Sequence, residues 1–256
     1  MTNISATRKA MKTLLVALCA SMALTACASS QSNPTGVGIA DPMEGTNRAV
    51  FAFNDAMDDA IIHPMLKGYR YVVPKPARTG LHNVLRNLKS PVTMANQLLQ
   101  GDLDGAGDVF VRAVVNSLLG IGGIFDVAGY EGIEYEAEDF GQTLAVWGVG
   151  HGPYMVVPLF GPASLRDGTG FIVDSLADPL RYYMHNIDEE EWYYVKVGLD
   201  YIDLRDGLMD ILEDLESSSF DYYAAVRSTY VQRREALVND ENPDTGGSTL
   251  PSAAEF

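Results

Sequence analysis

Helix-start signals recur along this chain, and they constrain its fold more than any other feature. Asp41-Pro42-Met43-Glu44 offers an acidic N-cap, a proline at the first helical position and a glutamate placed to reach back, which together satisfy the free N–H groups of a first turn. The alternative is that Asp41 only ends the segment before it. Val50, Phe53, Met57 and Ile61 follow at helical spacing, with Asp55, Asp58 and Asp59 off that stripe. Ser90-Pro91 predicts another helix through Leu99. Asp104 predicts the cap of a third, whose apolar face holds Phe110, Val114 and Leu118. Asp188 with Glu191 repeats the capping box before a long segment to about Leu215, and a last helix is expected over about 219–238. There is no βαβ alternation and no internal repeat. The expected fold is mainly α, a single helical domain over residues 41–238.

What precedes that domain reads as an export leader. Arg8, Lys9 and Lys12 have no acidic partner, and a run of about eleven apolar residues follows. As a helix it would rise only ~16 Å, half of a bilayer core, so it is too short to span and remain. The run ends in Leu24-Thr25-Ala26-Cys27, a lipobox-like motif in which Cys27 takes lipid and residues 1–26 are removed. An ordinary signal peptide with a cysteine near its cleavage site is the competing reading. Ala28, in place of the Asp that retains lipoproteins in the inner membrane, favours sorting to the periplasmic leaflet of the outer membrane. Three acyl chains at about 0.8 kcal/mol per buried CH₂ would make release negligible. Residues 27–40 read as a lipidated tether of ~20 Å reach, and 239–256 as a disordered tail.

The leader carries three basic and no acidic residues, so its removal takes the formal charge from −16 to −19. Nucleic acid is excluded as a partner, because phosphate binding needs clustered Lys and Arg. With Cys19 in the leader and Cys27 lipidated, no thiol remains for a disulfide, a nucleophile or a zinc site. Enzyme motifs are missing too: no G-x-S-x-G, no H-E-x-x-H, no Walker loop. The run from Asp102 to Asp108 has a calcium-loop flavour, but Ala106 and Ala113 stand where ligands are needed, so it reads as a capped turn. His63, His82, His151 and His185 are scattered, and Glu131, Glu134, Glu136, Glu138 and Asp139 read as a solvated loop. No cofactor or metal is expected, and no enzyme.

Two apolar stretches, 109–129 and 143–161, do not suit an ordinary soluble bundle. Arg112, Asn116 and Asp126 interrupt the first, and Gly148, Gly150, Gly152, Pro153 and Pro158 break the second, so neither could span a bilayer alone. Core packing and partial immersion in lipid both fit, and the anchor favours immersion. Trp192, Tyr193, Tyr194 and Tyr201 fit an interfacial belt or amphipathic packing equally. Gly148, Gly150, Gly152, Pro153 and Tyr154 form either a tight turn or a gate beside a lipid path, with Tyr154 near head groups and residues 155–157 in the membrane zone.

Asp41-Pro42-Met43-Glu44-Gly45-Thr46-Asn47-Arg48 resembles the D-P-x-E-G-x-N-R opening of the MlaA (VacJ) lipoprotein family. The resemblance continues through Tyr71 to Arg78, Asn96 to Gly101, Gly120 to Gly129, Phe140 to Leu144, Gly148 to Pro158, Arg166-Asp167 and Arg227 to Arg234. It implies a ring-like helical body in the inner leaflet of the outer membrane with an amphipathic central channel. It also implies association with trimeric porins and transfer of misplaced glycerophospholipid to a soluble, MlaC-like periplasmic carrier, which would maintain lipid asymmetry. Asn54, Arg112 and Asn116 are placed as channel lining by helix position alone. A non-transporting envelope scaffold, or a phospholipase, remains the alternative.

Overall fold

The computed structural model describes residues 39–241. The leader, Cys27, the tether up to residue 38 and the tail beyond residue 241 lie outside the described residues. Within them the chain is dominantly helical, as expected, with one β-hairpin.

The first helix, α1 (Glu44–Met57), runs through a π-helical turn (Asp58–Ile62) directly into α2 (His63–Val72). Pro64 explains the widened turn. It has no N–H and its ring would meet the Ala60 carbonyl, so the ladder shifts register just before it and His63 N–H donates to Asp58 O. Pro74 ends this rod in extended conformation, and α3 (Lys75–Gln100) begins. The helix expected to open at Ser90-Pro91 is therefore the second half of α3. Burial of Ser90, Val92 and Thr93 holds the helix together where the missing Pro91 N–H weakens it.

Gly101, at φ +89°, closes α3: Gly101 N–H donates to Leu98 O (3.2 Å) and Asp102 N–H to Gln97 O (3.0 Å). Asp102, not Asp104, then caps α4 (Leu103–Leu118), accepting the N–H groups of Asp104 (3.1 Å) and Gly105 (3.0 Å). The two helices form an antiparallel pair joined by a minimal turn. A glycine-rich turn leads to the short α5 (Val127–Tyr130), capped by Asp126, and α6 (Phe140–Val146) starts on Asp139.

The hairpin pairs β1 (Tyr154–Val157) with β2 (Gly161–Ser164) antiparallel, Tyr154 opposite Ser164 and Val157 opposite Gly161. Four residues alternating buried and half-buried are too few to stand out from the apolar run that contains them. Ser164 caps α7 (Leu165–Ala177) and Asp178 caps α8 (Pro179–Asn186). The box expected at Asp188 and Glu191 does not form. Asp188 sits at φ +58°, and α9 (Glu190–Ser218) begins with no side-chain cap. The last helix, α10 (Tyr222–Val238), is capped by Asp221.

A small aromatic core of Ile39, Tyr154, Val156, Tyr223, Tyr230 and Val231 lies where α1, the hairpin and α10 meet. A ladder of polar pairs fastens α9 to α2 and α3: His63–Glu213, Arg70–Asp206, Arg78–Asp206 and His82–Asp203. Much of the apolar surface is not buried. Leu103, Phe110, Leu118 and Leu119 on and after α4 are 58–76% exposed. Among the described residues no helix is long and apolar enough to cross a membrane.

Candidate functional site

The opening motif is a tertiary clamp. The α1 N-cap is Met43, without a side-chain bond, and Pro42 lies ahead of the helix. Asp41 accepts from Asn47 Nδ2 (2.8 Å), Arg227 (3.0 Å) and the Tyr223 hydroxyl, and Glu44 accepts from Arg48. The expected capping box is thus replaced, because Asn47 on α1 together with Tyr223 and Arg227 on α10 outcompete the first-turn N–H groups for the Asp41 carboxylate. Arg48 forks onto Asp221 (3.1 and 2.7 Å) and stacks on the Tyr223 ring at 4.4 Å. Asn47, 3% exposed, donates to Tyr154 O (3.1 Å) and accepts from Val156 N–H (3.1 Å), pinning β1 to α1. Gly45 lies in open space on α1.

Behind the hairpin, Arg234 is buried between Asp139 (2.6 and 3.0 Å) and Asp167 (3.1 Å). Burial would raise both carboxyls, but the guanidinium holds each below its ordinary range. Gly141 leaves room for this network, since a Cβ there would lie 2.9 Å from both carboxylates. Two acidic-loop residues depart from the solvated reading: Asp139 caps α6, and Glu138 is buried. Desolvation, then Asp139, pushes Glu138 up to about 8.

The proposed gate segment divides. Gly148, at φ +88°, closes α6 with bonds to Ala145 O (2.8 Å) and from Val149 N–H to Leu144 O (2.9 Å). Gly152, at φ +68°, lies against Leu165. His151 O and Pro153 O accept from Arg166 and Leu165 (both 3.1 Å), so the far end is fixed to α7. Gly150 alone has neither strain nor a neighbour. Tyr154 is not near a head-group zone: it is fully buried, and Val156 is 6% exposed, because β1 faces the aromatic core.

Arg112 and Asn116 are not free lining groups. Arg112 grips Asp126 with two bonds (2.9 and 2.8 Å), and Asn116 donates to Asp126 (2.9 Å) and accepts from Ala128 N–H (2.9 Å), bracing the glycine-rich turn. Asn54 does reach a cavity wall, where it also holds the hairpin tip through Val157 O (3.0 Å) and Leu159 N–H (2.8 Å).

That cavity is walled by α1, the π-turn, the hairpin tip, α9 and α10. It holds about 120 Å³, or about 1010 Å³ with its open mouth. Phe51, Met57, Phe160, Leu208, Leu212 and Leu215 are among its apolar lining. Set into that lining are Asp55, Asp58, Arg205 and Arg233, with Tyr201 and Tyr222. Arg205 pairs with Asp58, and burial lowers its affinity for protons. Burial, then Asp55, pushes Tyr222 up to about 12. No motif around Arg205 marks it, because its partner Asp58 lies far away in the sequence.

A family model described as "MlaA lipoprotein" matches residues 39–237. The intermembrane phospholipid transport system lipoprotein MlaA of Escherichia coli (strain K12) is 36% identical over 231 residues, 86% of this chain and 89% of that protein. Its namesake from Haemophilus influenzae is 32% identical over 247 residues, 94% and 96% of the two chains. A chain solved for the structural basis of maintenance of bacterial outer membrane lipid asymmetry superposes with a TM-score of 0.68 at 37% identity, covering 78% of this chain and all of that one. The match spans nearly all the described residues, and the chain belongs to the MlaA lipoprotein family.

Proposed function

We propose that this protein takes mislocalised glycerophospholipid out of the periplasmic leaflet of the outer membrane and passes it to a soluble, MlaC-like periplasmic carrier, maintaining lipid asymmetry. The observation that carries this reading is the cavity: apolar walls for acyl chains with charged and hydroxyl groups set into them for a head group. The names of the relatives, which place them in an intermembrane phospholipid transport system, support it. So do the exposed apolar side chains of α4, Leu103, Phe110 and Leu118 among them, which offer a contact for acyl chains. In this reading the helices form a ring lying in the leaflet, held there by lipid on Cys27 and by association with trimeric porins, and the lipid path runs through its amphipathic centre. No covalent step is needed. A passive path only equilibrates lipid between its ends, so direction comes from the carrier.

The test is mass spectrometry of an organic extract from detergent-purified, full-length protein, together with a fluorescent-lipid transfer assay to a soluble carrier. Co-purifying phospholipid and carrier-dependent transfer are expected. Empty protein that supports no transfer would leave an envelope scaffold instead. Cys27→Ala is expected to mislocalise the chain and to weaken the outer-membrane barrier, whereas Ala28→Asp should retain it in the inner membrane, both read by fractionation.

A further inference from the structure

An apolar conduit has no need of an ion pair in its wall, yet Asp58 and Arg205 face each other there among Met57, Ile62, Leu208 and Leu212. Their side chains are 27% and 16% exposed. A partly buried pair of this kind loses hydration that its attraction recovers in full only when its remaining polar atoms are hydrogen-bonded, and an apolar pair of equal volume would close the wall better. The remaining atoms are not all satisfied: Arg205 Nε is buried with no hydrogen-bond partner among the described residues. Asp58 opens the π-turn that Pro64 imposes. Arg233 lines the same cavity and engages neighbours of its own.

A guanidinium fork matches two oxygens of a phosphodiester, and a carboxylate matches an ammonium. Resting on the reading of this cavity as a phospholipid site, we propose that the Asp58–Arg205 pair opens to admit a zwitterionic aminoethyl phosphodiester head group, Arg205 taking the phosphate and Asp58 the ammonium. One ion pair becomes two, and no charge is left uncompensated. A lipid whose head group has a phosphate but no ammonium can satisfy Arg205 only by stranding Asp58 as an unpaired carboxylate in an apolar wall, which is strongly unfavourable. The cavity therefore discriminates phosphatidylethanolamine from phosphatidylglycerol, and Asp58 is the discriminating residue. The step is an exchange of ionic partners, with no bond made or broken.

Full-length lipidated protein in detergent is offered an equimolar mixture of isotope-labelled phosphatidylethanolamine and phosphatidylglycerol, repurified, and its retained lipid measured by mass spectrometry. Several-fold enrichment of the ethanolamine lipid is expected. Asp58→Asn should bring the ratio towards unity by raising retention of phosphatidylglycerol, and Arg205→Gln should lower both. An arm that needs no substitution uses N-acetyl-phosphatidylethanolamine, which lacks the ammonium and should behave as phosphatidylglycerol does on the unaltered protein. Equal retention by the unaltered protein, or enrichment that neither N-acetylation nor Asp58→Asn changes, overturns the proposal while leaving phospholipid binding intact. Absence of any retained phospholipid overturns the transport reading as well. Displacement of the lipid by an equal concentration of glycerophosphoethanolamine, which has no acyl chains, would reassign the site to a free phosphodiester.

Discussion

Asn47 ties three segments with one amide, meeting Asp41, Tyr154 O and Val156 N–H from a site 3% exposed. Asn47→Leu keeps the volume but leaves the Val156 N–H and Tyr154 O without partners in the core. The expected loss is about 2–4 kcal/mol, read as a lower urea midpoint at unchanged slope. Glu138 acts in the opposite sense. Its folded value of about 8 lies above the ordinary 4.5, so it is neutral in both states below 4.5 and penalises the fold increasingly as pH rises towards 8. Glu138→Gln should therefore leave stability unchanged at pH 4.5 and raise it at pH 8.5 by on the order of 1–3 kcal/mol. Parallel melting curves for the two proteins across that range would refute the buried-carboxyl assignment. None of this was legible in the motif itself: Asp41-Pro42-x-Glu44 carries the local pattern of a capping box, and only α10, arriving from the far end of the chain, supplies the partners that take Asp41 away.

The elements differ in how far their own sequences specify them. Gly148 and Gly150 look interchangeable in the chain, but one closes α6 at φ +88° and the other meets nothing. Gly148→Ala is expected to cost about 1 kcal/mol through the left-handed conformation, whereas Gly150→Ala should leave the melting temperature unchanged. If the segment gates a lipid path, Gly150→Ala slows lipid transfer without that loss of stability. Normal transfer in Gly150→Ala would reduce the whole segment to a turn. The π-turn follows from Pro64, whose effect is local and predictable in kind. Pro91, by contrast, was expected to begin a helix and instead lies inside α3, because packing of its buried neighbours outweighs the one lost bond.

At the scale of the molecule, apolar side chains fall into two populations: the small aromatic core at the hairpin, and a larger set on the outside. Phe110 and Leu118, 58% and 76% exposed, lie on the outer face of α4. Phe110→Asp with Leu118→Asp should preserve the melting temperature, since neither is core, and reduce co-sedimentation of the protein with phospholipid vesicles several-fold. Unchanged sedimentation would place membrane contact elsewhere on the body. The polar ladder between α9 and the α2–α3 pair works in the same direction: it lets a long helix with many acidic residues pack inward through Arg70 and Arg78 while apolar side chains such as Trp192 and Tyr194 remain outside.

Helical class, the positions of α1, α4, α9 and α10 and the family could be read from the chain alone, because helical spacing, glycine and proline placement and short motifs act over a few residues. The roles of Asp41, Asn54, Arg112, Asn116 and Tyr154, the hairpin, and the Asp58–Arg205 pair in the cavity wall were decided by tertiary structure. Each depends on a partner from a distant segment. A buried carboxylate, amide or guanidinium takes whichever partner the packed fold brings within bonding distance, and no pattern of neighbours along the chain specifies which that will be.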